Sequence, residues 1–204
     1  MLIKVGILII GFIFAAILPY SLKKSLKHIN IDLKKYTLSF LTIKKLYGNK
    51  YIKNYRKLLF IIALLLYIYF WLLVEHYDIK KHKNLLKIID ICVTSLTLLA
   101  FVPYDMNPYS IKNLSNTLQR LFHNLLSLTV FLSILILTVT FQNIIIKKYL
   151  FLGIIGFVII FFTIFSIIYG LIKDGLNGFT ELSFINGISI WIIFTTIYTV
   201  LFSC

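Results

Sequence analysis

Tyr149–Ile172 reads YLFLGIIGFVIIFFTIFSIIYGLI, twenty-four residues without a single charge. A hydrocarbon core about 30 Å thick needs about 20 such residues in a helix, and in lipid every backbone N–H and C=O must be paired within the protein. The stretch is therefore a membrane-spanning helix, and the rest of the chain repeats it. Val5–Tyr20, Leu58–Val74, Ile88–Tyr104, Leu121–Phe141 and Phe184–Phe202 are the other apolar runs. None alternates in polarity over about ten residues as a barrel strand would. The expected fold class is all-α: an integral membrane six-transmembrane-helix bundle, one domain over residues 1–204.

Composition agrees. The chain is 60% hydrophobic with a mean hydropathy of +0.94, whereas soluble domains are roughly 45–50% apolar. Little of the chain is left over for a separate soluble domain. The expected location is multi-pass, in the cell (plasma) membrane. Val5–Leu18 after Lys4 resembles a secretory signal, but Ala15-Ala16 is followed by Ile17, Leu18 and Pro19, a poor cleavage site. A retained first span is expected. The two cysteines, Cys92 and Cys204, have no metal-ligand spacing. They read as small apolar fillers, although a disulfide is geometrically conceivable.

The net charge is +14, from 21 Lys and Arg against 7 Asp and Glu. These bases flank apolar spans and accompany no recognisable nucleic-acid module, so the expected partner is the lipid bilayer, anionic lipids above all, and no nucleic acid. A membrane protein partner or a second copy of the chain would also suit such a bundle. Between the first two spans lies a basic interfacial loop, Ser21–Lys57, with eleven Lys and Arg and one acid, Asp32. Interspersed Leu38, Phe40, Leu41, Ile43, Leu46 and Tyr47 would keep it along the interface. Lys23, Lys24, Lys44, Lys45, Arg56 and Lys57 are its candidate lipid-headgroup residues. It can equally serve as a topology signal without a ligand. The side of the membrane that holds this loop carries fourteen Lys and Arg against seven, which puts the loop in the cytoplasm and both termini outside.

The functional signal lies in Phe101–Ser127, FVPYDMNPYSIKNLSNTLQRLFHNLLS. Pro103 disfavours helix at Val102 and marks a break. Asn107-Pro108 reads as N-cap and first helical residue. Beyond it Lys112, Asn116, Gln119 and His123 form one helical stripe, and Asn113, Thr117, Arg120, Asn124 and Ser127 an adjacent one. Ionisable groups at membrane depth are costly, so this face is expected to point into the bundle. With Asp105 at the end of the third span and Glu181 ahead of the sixth, it makes a candidate polar pocket: Asp105, Arg120, His123, Asn124 and Glu181. A buried clamp between the third and fourth spans would use the same residues.

Other signals are structural. Asp90 in the first turn of the third span would suit the helix dipole. Glu75, His76, Asp78 and His82 read as a solvated loop. Thr163, Ser166 and Gly170, with Gly153 and Gly156, form a small-residue stripe on the fifth span. Asn186, Ser189, Thr196, Thr199 and Ser203 do so on the sixth, and Trp191 reads as a packing residue. No cofactor is expected: only His123 of the four histidines is placed for haem ligation, and zinc would need three or four ligands. No P-loop or nucleophile-elbow spacing occurs. Ser110 and Ser115 near His123 and Asp105 supply the residue types of a hydrolytic triad and little more. The expectation is a non-enzymatic protein that engages lipid headgroups or a membrane partner through the pocket. A small proton- or ion-coupled transporter, with Asn186, Ser189 and Thr196 as lining, and an intramembrane hydrolase are the alternatives.

Three marks carry a resemblance: Phe101-Val102-Pro103-Tyr104-Asp105 closing the third span, His123-Asn124 opening the fourth, and Gly178-Phe179-Thr180-Glu181 ahead of the sixth with Trp191 inside it. In these and in span spacing the chain resembles the prokaryotic six-span family catalogued as a domain of unknown function, related to the DRAM/Frag-type membrane proteins. Members tend to have Arg after the acid that matches Glu181; Leu182 stands here. The resemblance implies a six-helix bundle with a polar pocket on one face and no established reaction. In related proteins the first loop usually lies on the non-cytoplasmic side, opposite to the charge count.

Overall fold

Apolar runs of this length can satisfy their backbones in lipid only as helices, and all six do so. The computed structural model describes residues 2–27, 32–39, 44–79, 83–104 and 114–202. Its helices are α1 (Leu2–Leu26), α2 (Lys44–His76), α3 (Lys83–Phe101), α4 (Leu114–Lys148), α5 (Leu150–Asp174) and α6 (Gly178–Leu201). Each contains a stretch long and apolar enough to cross a membrane, which makes the chain a polytopic membrane protein. Each helix packs on its chain neighbours, and α1 packs on α6. The six thus close a ring in sequence order. Chain direction alternates around it, so the C-terminal ends of α1, α3 and α5 share one end with the N-terminal ends of α2, α4 and α6. That is the near end; the opposite one is the far end.

Side chains from alternate helices fill the middle. Phe70 of α2, Phe141 of α4 and Trp191 of α6 meet with ring centroids 6.1–6.2 Å apart, each pair contributing about 0.5–1.5 kcal/mol beyond its buried area. The Tyr69 hydroxyl lies 3.2 Å from the Ile192 carbonyl and 3.1 Å from Thr196 Oγ1. Trp191 Nε1 donates to Gln142 Oε1 at 3.0 Å, and Gln142 Nε2 donates to the Gly153 carbonyl at 2.9 Å. This amide ties α4, α5 and α6 together and leaves the indole N–H satisfied in hydrocarbon. Gly153 and Gly156 make room for it: a methyl on Gly153 would strike Ile146, and one on Gly156 would strike Gln142 itself. At the far end the Tyr77 hydroxyl bonds Thr199 Oγ1 at 2.9 Å, and Lys148 Nζ donates to the Tyr77 carbonyl at 3.3 Å.

Several expected boundaries move. Both ends of the basic loop Ser21–Lys57 are helical: α1 runs on to Leu26 and α2 begins at Lys44. Lys, Asn and Tyr do not break helices, and water beyond the hydrocarbon tolerates their charge, so hydropathy alone understates both helices. The α3 helix stops at Phe101 rather than Tyr104, as Pro103 demands of the residue before it. It starts at Lys83, so Asp90 is exposed two turns inside it and does not cap it. Glu75 and His76 belong to the last turn of α2 rather than to a loop. In α5, Gly153, Gly156 and Thr163 are buried, but Ser166 is exposed; in α6, Thr196 and Thr199 are buried, but Asn186 is exposed. Trp191 is buried as a packing residue. Cys92 is buried and free. His82, Cys204, Ser203 and the Asn107-Pro108 cap lie outside the described residues.

Candidate functional site

The near end is closed by the chain itself. Asp32, the lone acid of the basic connection, starts a turn: its side chain accepts from Lys34 N–H at 3.0 Å, and its carbonyl accepts from Lys35 and Tyr36 N–H. The turn folds residues 33–39 back into the mouth of the ring. Gly178, the first residue of α6, donates its N–H to the carbonyls of both Leu33 and Tyr36 at 2.9 Å. A side chain at Gly178 would strike Leu33 and the Tyr36 carbonyl. Leu38 is buried with Leu22 of α1, against Leu18, Leu33, Leu182 and Ile185. Asn177 ahead of α6 accepts from Phe179 and Thr180 N–H, and Thr180 Oγ1 accepts from Asn177 N–H, a reciprocal cap that fixes the helix start.

Two of the expected pocket residues hold this segment. Glu181, in the first turn of α6 rather than ahead of it, accepts the Leu38 backbone N–H on Oε2. His123 of α4 meets Ser39 through Nε2 at 3.1 Å. Its other nitrogen, Nδ1, lies 2.6 Å from the Val102 carbonyl. A carbonyl oxygen can only accept, so Nδ1 carries the proton, and in the neutral ring Nε2 accepts from the Ser39 hydroxyl. His123 is 1% exposed and Ser39 half-buried. One turn earlier, Gln119 Nε2 donates to the Pro103 carbonyl at 2.8 Å. The polar face of α4 thus satisfies the carbonyls that Pro103 leaves open past the end of α3. Tyr104 packs edgewise on His123, centroids 5.5 Å apart, and the Arg120 guanidinium lies 5.5 Å from the centre of the Tyr104 ring.

The structure therefore gathers His123 and Glu181 around adjacent residues of one segment, with Arg120 one aromatic ring away. Asn124 departs from the expectation. It is exposed, because the next residue on a helix points about 100° away and the buried face is already taken by His123. Asp105 and Ser110 lie outside the described residues, and Ser115 is exposed in the first turn of α4. Among the candidate headgroup residues, Lys23, Lys24 and Lys57 are exposed and Arg56 half-buried, all at the near end. Lys44 and Lys45 begin α2, with their side chains outside the described residues. Exposed Lys27, Lys34, Lys35 and Lys53 extend the basic rim, with Lys35 in a 3.7 Å ion pair to Asp32.

The sequence reading missed Ser39 and the docking of residues 33–39. The available signal was Asp32, a turn-forming acid inside a basic stretch, followed by Leu33 and Leu38 amid lysines. Among the described residues no group of three or more His, Cys, Asp or Glu is placed to hold a metal ion. No family model, curated protein or solved structure matches the chain.

Proposed function

We propose that this protein engages the headgroups of anionic lipids at its near end, in the cell membrane. The observation that carries the reading is that Glu181 and His123 pin residues 38 and 39 inside the ring. Residues 32–39, with Lys34 and Lys35, are thereby folded over the mouth rather than left free. Lys34 and Lys35, with Lys23, Lys24 and Lys27 at the end of α1 and Lys53, Arg56 and Lys57 of α2, then form a rim for lipid phosphates. Each Lys or Arg near an anionic surface contributes about 1 kcal/mol of attraction. The packed Phe70, Phe141 and Trp191 cluster weighs against a carrier, which needs a wet path along the ring. Kinship with the six-span family remains part of this proposal and rests on the sequence marks alone.

Native mass spectrometry of the purified protein with phosphatidylglycerol and phosphatidylcholine tests it. The wild type retains phosphatidylglycerol in preference. Replacing Lys23, Lys24, Arg56 and Lys57 together by Gln removes about 4 kcal/mol of attraction, roughly a thousandfold in affinity. Equal retention of the two lipids by the wild type, or unchanged retention in the variant, rejects the reading.

A further inference from the structure

The Ser39–His123 contact has the geometry of a nucleophile and its base, and it lies at the near end of the ring. We infer that Ser39 is a nucleophile activated by His123 and directed at acyl esters of lipids drawn to the basic rim; the substrate class rests on the headgroup reading above. Three features favour chemistry over a plain structural contact. The imidazole is held from behind: Val102 O fixes the Nδ1–H tautomer and leaves the Nε2 lone pair facing Ser39 Oγ. In serine hydrolases a carboxylate does this; a carbonyl orients the ring equally well, although it offers a dipole instead of a full charge. The base is buried, while the residue that carries the hydroxyl is only half-buried. Ser39 is also presented by a short segment anchored on both α4 and α6, through His123 and Glu181, so the pair is preorganised rather than assembled on a free loop.

The step balances with water as the only co-reactant. Ser39 Oγ bonds to the ester carbonyl carbon while its proton passes to His123 Nε2, and the carbonyl π pair moves onto oxygen. Collapse of that adduct breaks the bond from carbon to the alcohol oxygen. The alcohol leaves with the proton held on Nε2, and the acyl group remains on Ser39. A water molecule deprotonated by the same nitrogen then attacks the acyl carbon, releasing a carboxylic acid and restoring the serine.

A fluorophosphonate probe tests the pair without knowledge of the lipid. Ser39 Oγ displaces fluoride from phosphorus, and intact-protein and peptide mass spectrometry locate the adduct. The full-length wild type in mild detergent is expected to take one adduct, on Ser39, and Ser39→Ala none. Loss of a general base costs 10²–10⁴-fold, so His123→Gln should slow labelling by about a hundredfold or more. If that variant does not fold, the wild-type rate against pH decides. A histidine-assisted serine reaches a plateau once the imidazole is neutral, whereas an unassisted hydroxyl keeps climbing tenfold per pH unit. No adduct on Ser39 at saturating probe, an unchanged rate in folded His123→Gln, or an unbroken climb with pH overturns the inference. Lipid retention, read by native mass spectrometry on the same wild-type sample, reports separately on the headgroup reading. Retained phosphatidylglycerol with no Ser39 adduct removes the nucleophile alone.

Discussion

Removing the Glu181 carboxylate should release residues 33–39 from the mouth, and the expected size can be worked from the contacts. Oε2 of Glu181 accepts the Leu38 N–H in a part-buried setting. Leaving the part-buried Leu38 N–H without its acceptor costs about 1–3 kcal/mol, roughly a 5- to 150-fold change in a local opening equilibrium. The other holds remain: Gly178 N–H on two carbonyls, His123 on Ser39 and the buried Leu38 side chain. The segment therefore loosens without leaving, and the ring stays folded. Hydrogen exchange followed by mass spectrometry in nanodiscs reads this directly. In Glu181→Ala the Leu38 amide should exchange about 10–100 times faster. Glu181→Gln keeps an acceptor for the Leu38 N–H, so a rise of no more than about fivefold is expected. Amides in the middle of α5 serve as the internal standard. Unchanged exchange at Leu38 in the alanine variant, or a rise shared equally by α5, refutes the reasoning.

Gln142→Leu and Trp191→Phe, measured singly and together by steric trapping in bicelles, should show a coupling of about 0.6 kcal/mol and no more than about 1.7. Zero coupling would mean that the amide and indole do not bond. Gly187→Val drives a branched side chain onto Thr163 of α5 and should lower stability by about 1–3 kcal/mol, seen as an earlier thermal transition in detergent; an unchanged transition would deny the close α5–α6 approach. Tyr77→Phe removes the hydroxyl that meets Thr199 and should cost about 0.5–1.5 kcal/mol by the same trapping assay.

The spans were legible because one length and one solvent decide them, so Tyr149–Ile172 could be read alone. Their ends were not. Lys44 to Lys57 is too polar to count as membrane, yet it continues α2, since a helix already nucleated in lipid extends into water at little cost when no Gly-Pro pair stops it. Pro103 was the exception, because its geometry acts on the residue before it whatever the surroundings. His123 and Glu181 were legible as ionisable groups at the margin of an apolar run. Asn124 misled because a stripe drawn two residues wide cannot say which half faces inward. Ser39 was invisible: its partner lies 84 residues away, and nothing local distinguishes it from other serines at span edges.

The two ends of the ring are closed by different kinds of contact, and this bears on where chemistry or binding can occur. Toward the far end Phe70, Phe141, Trp191, Tyr77 and Tyr198 are buried and pack ring on ring. Opening that end would separate several aromatic pairs at once and expose their faces to water or lipid. Among the described residues the near-end closure is one short segment held by a carboxylate, an imidazole, the Gly178 N–H and the buried Leu38 side chain. A phosphate oxygen or an ester carbonyl can accept from the Gly178 and Leu38 N–H groups and the Ser39 hydroxyl, so an arriving headgroup offers those donors new hydrogen bonds as the segment shifts. No such exchange is open to the aromatic end, where an arriving ligand has only apolar contact to offer in place of apolar contact. The ester chemistry inferred for Ser39 and His123 therefore lies at the end where entry costs a few hydrogen bonds and one small leucine cluster rather than a packed aromatic core.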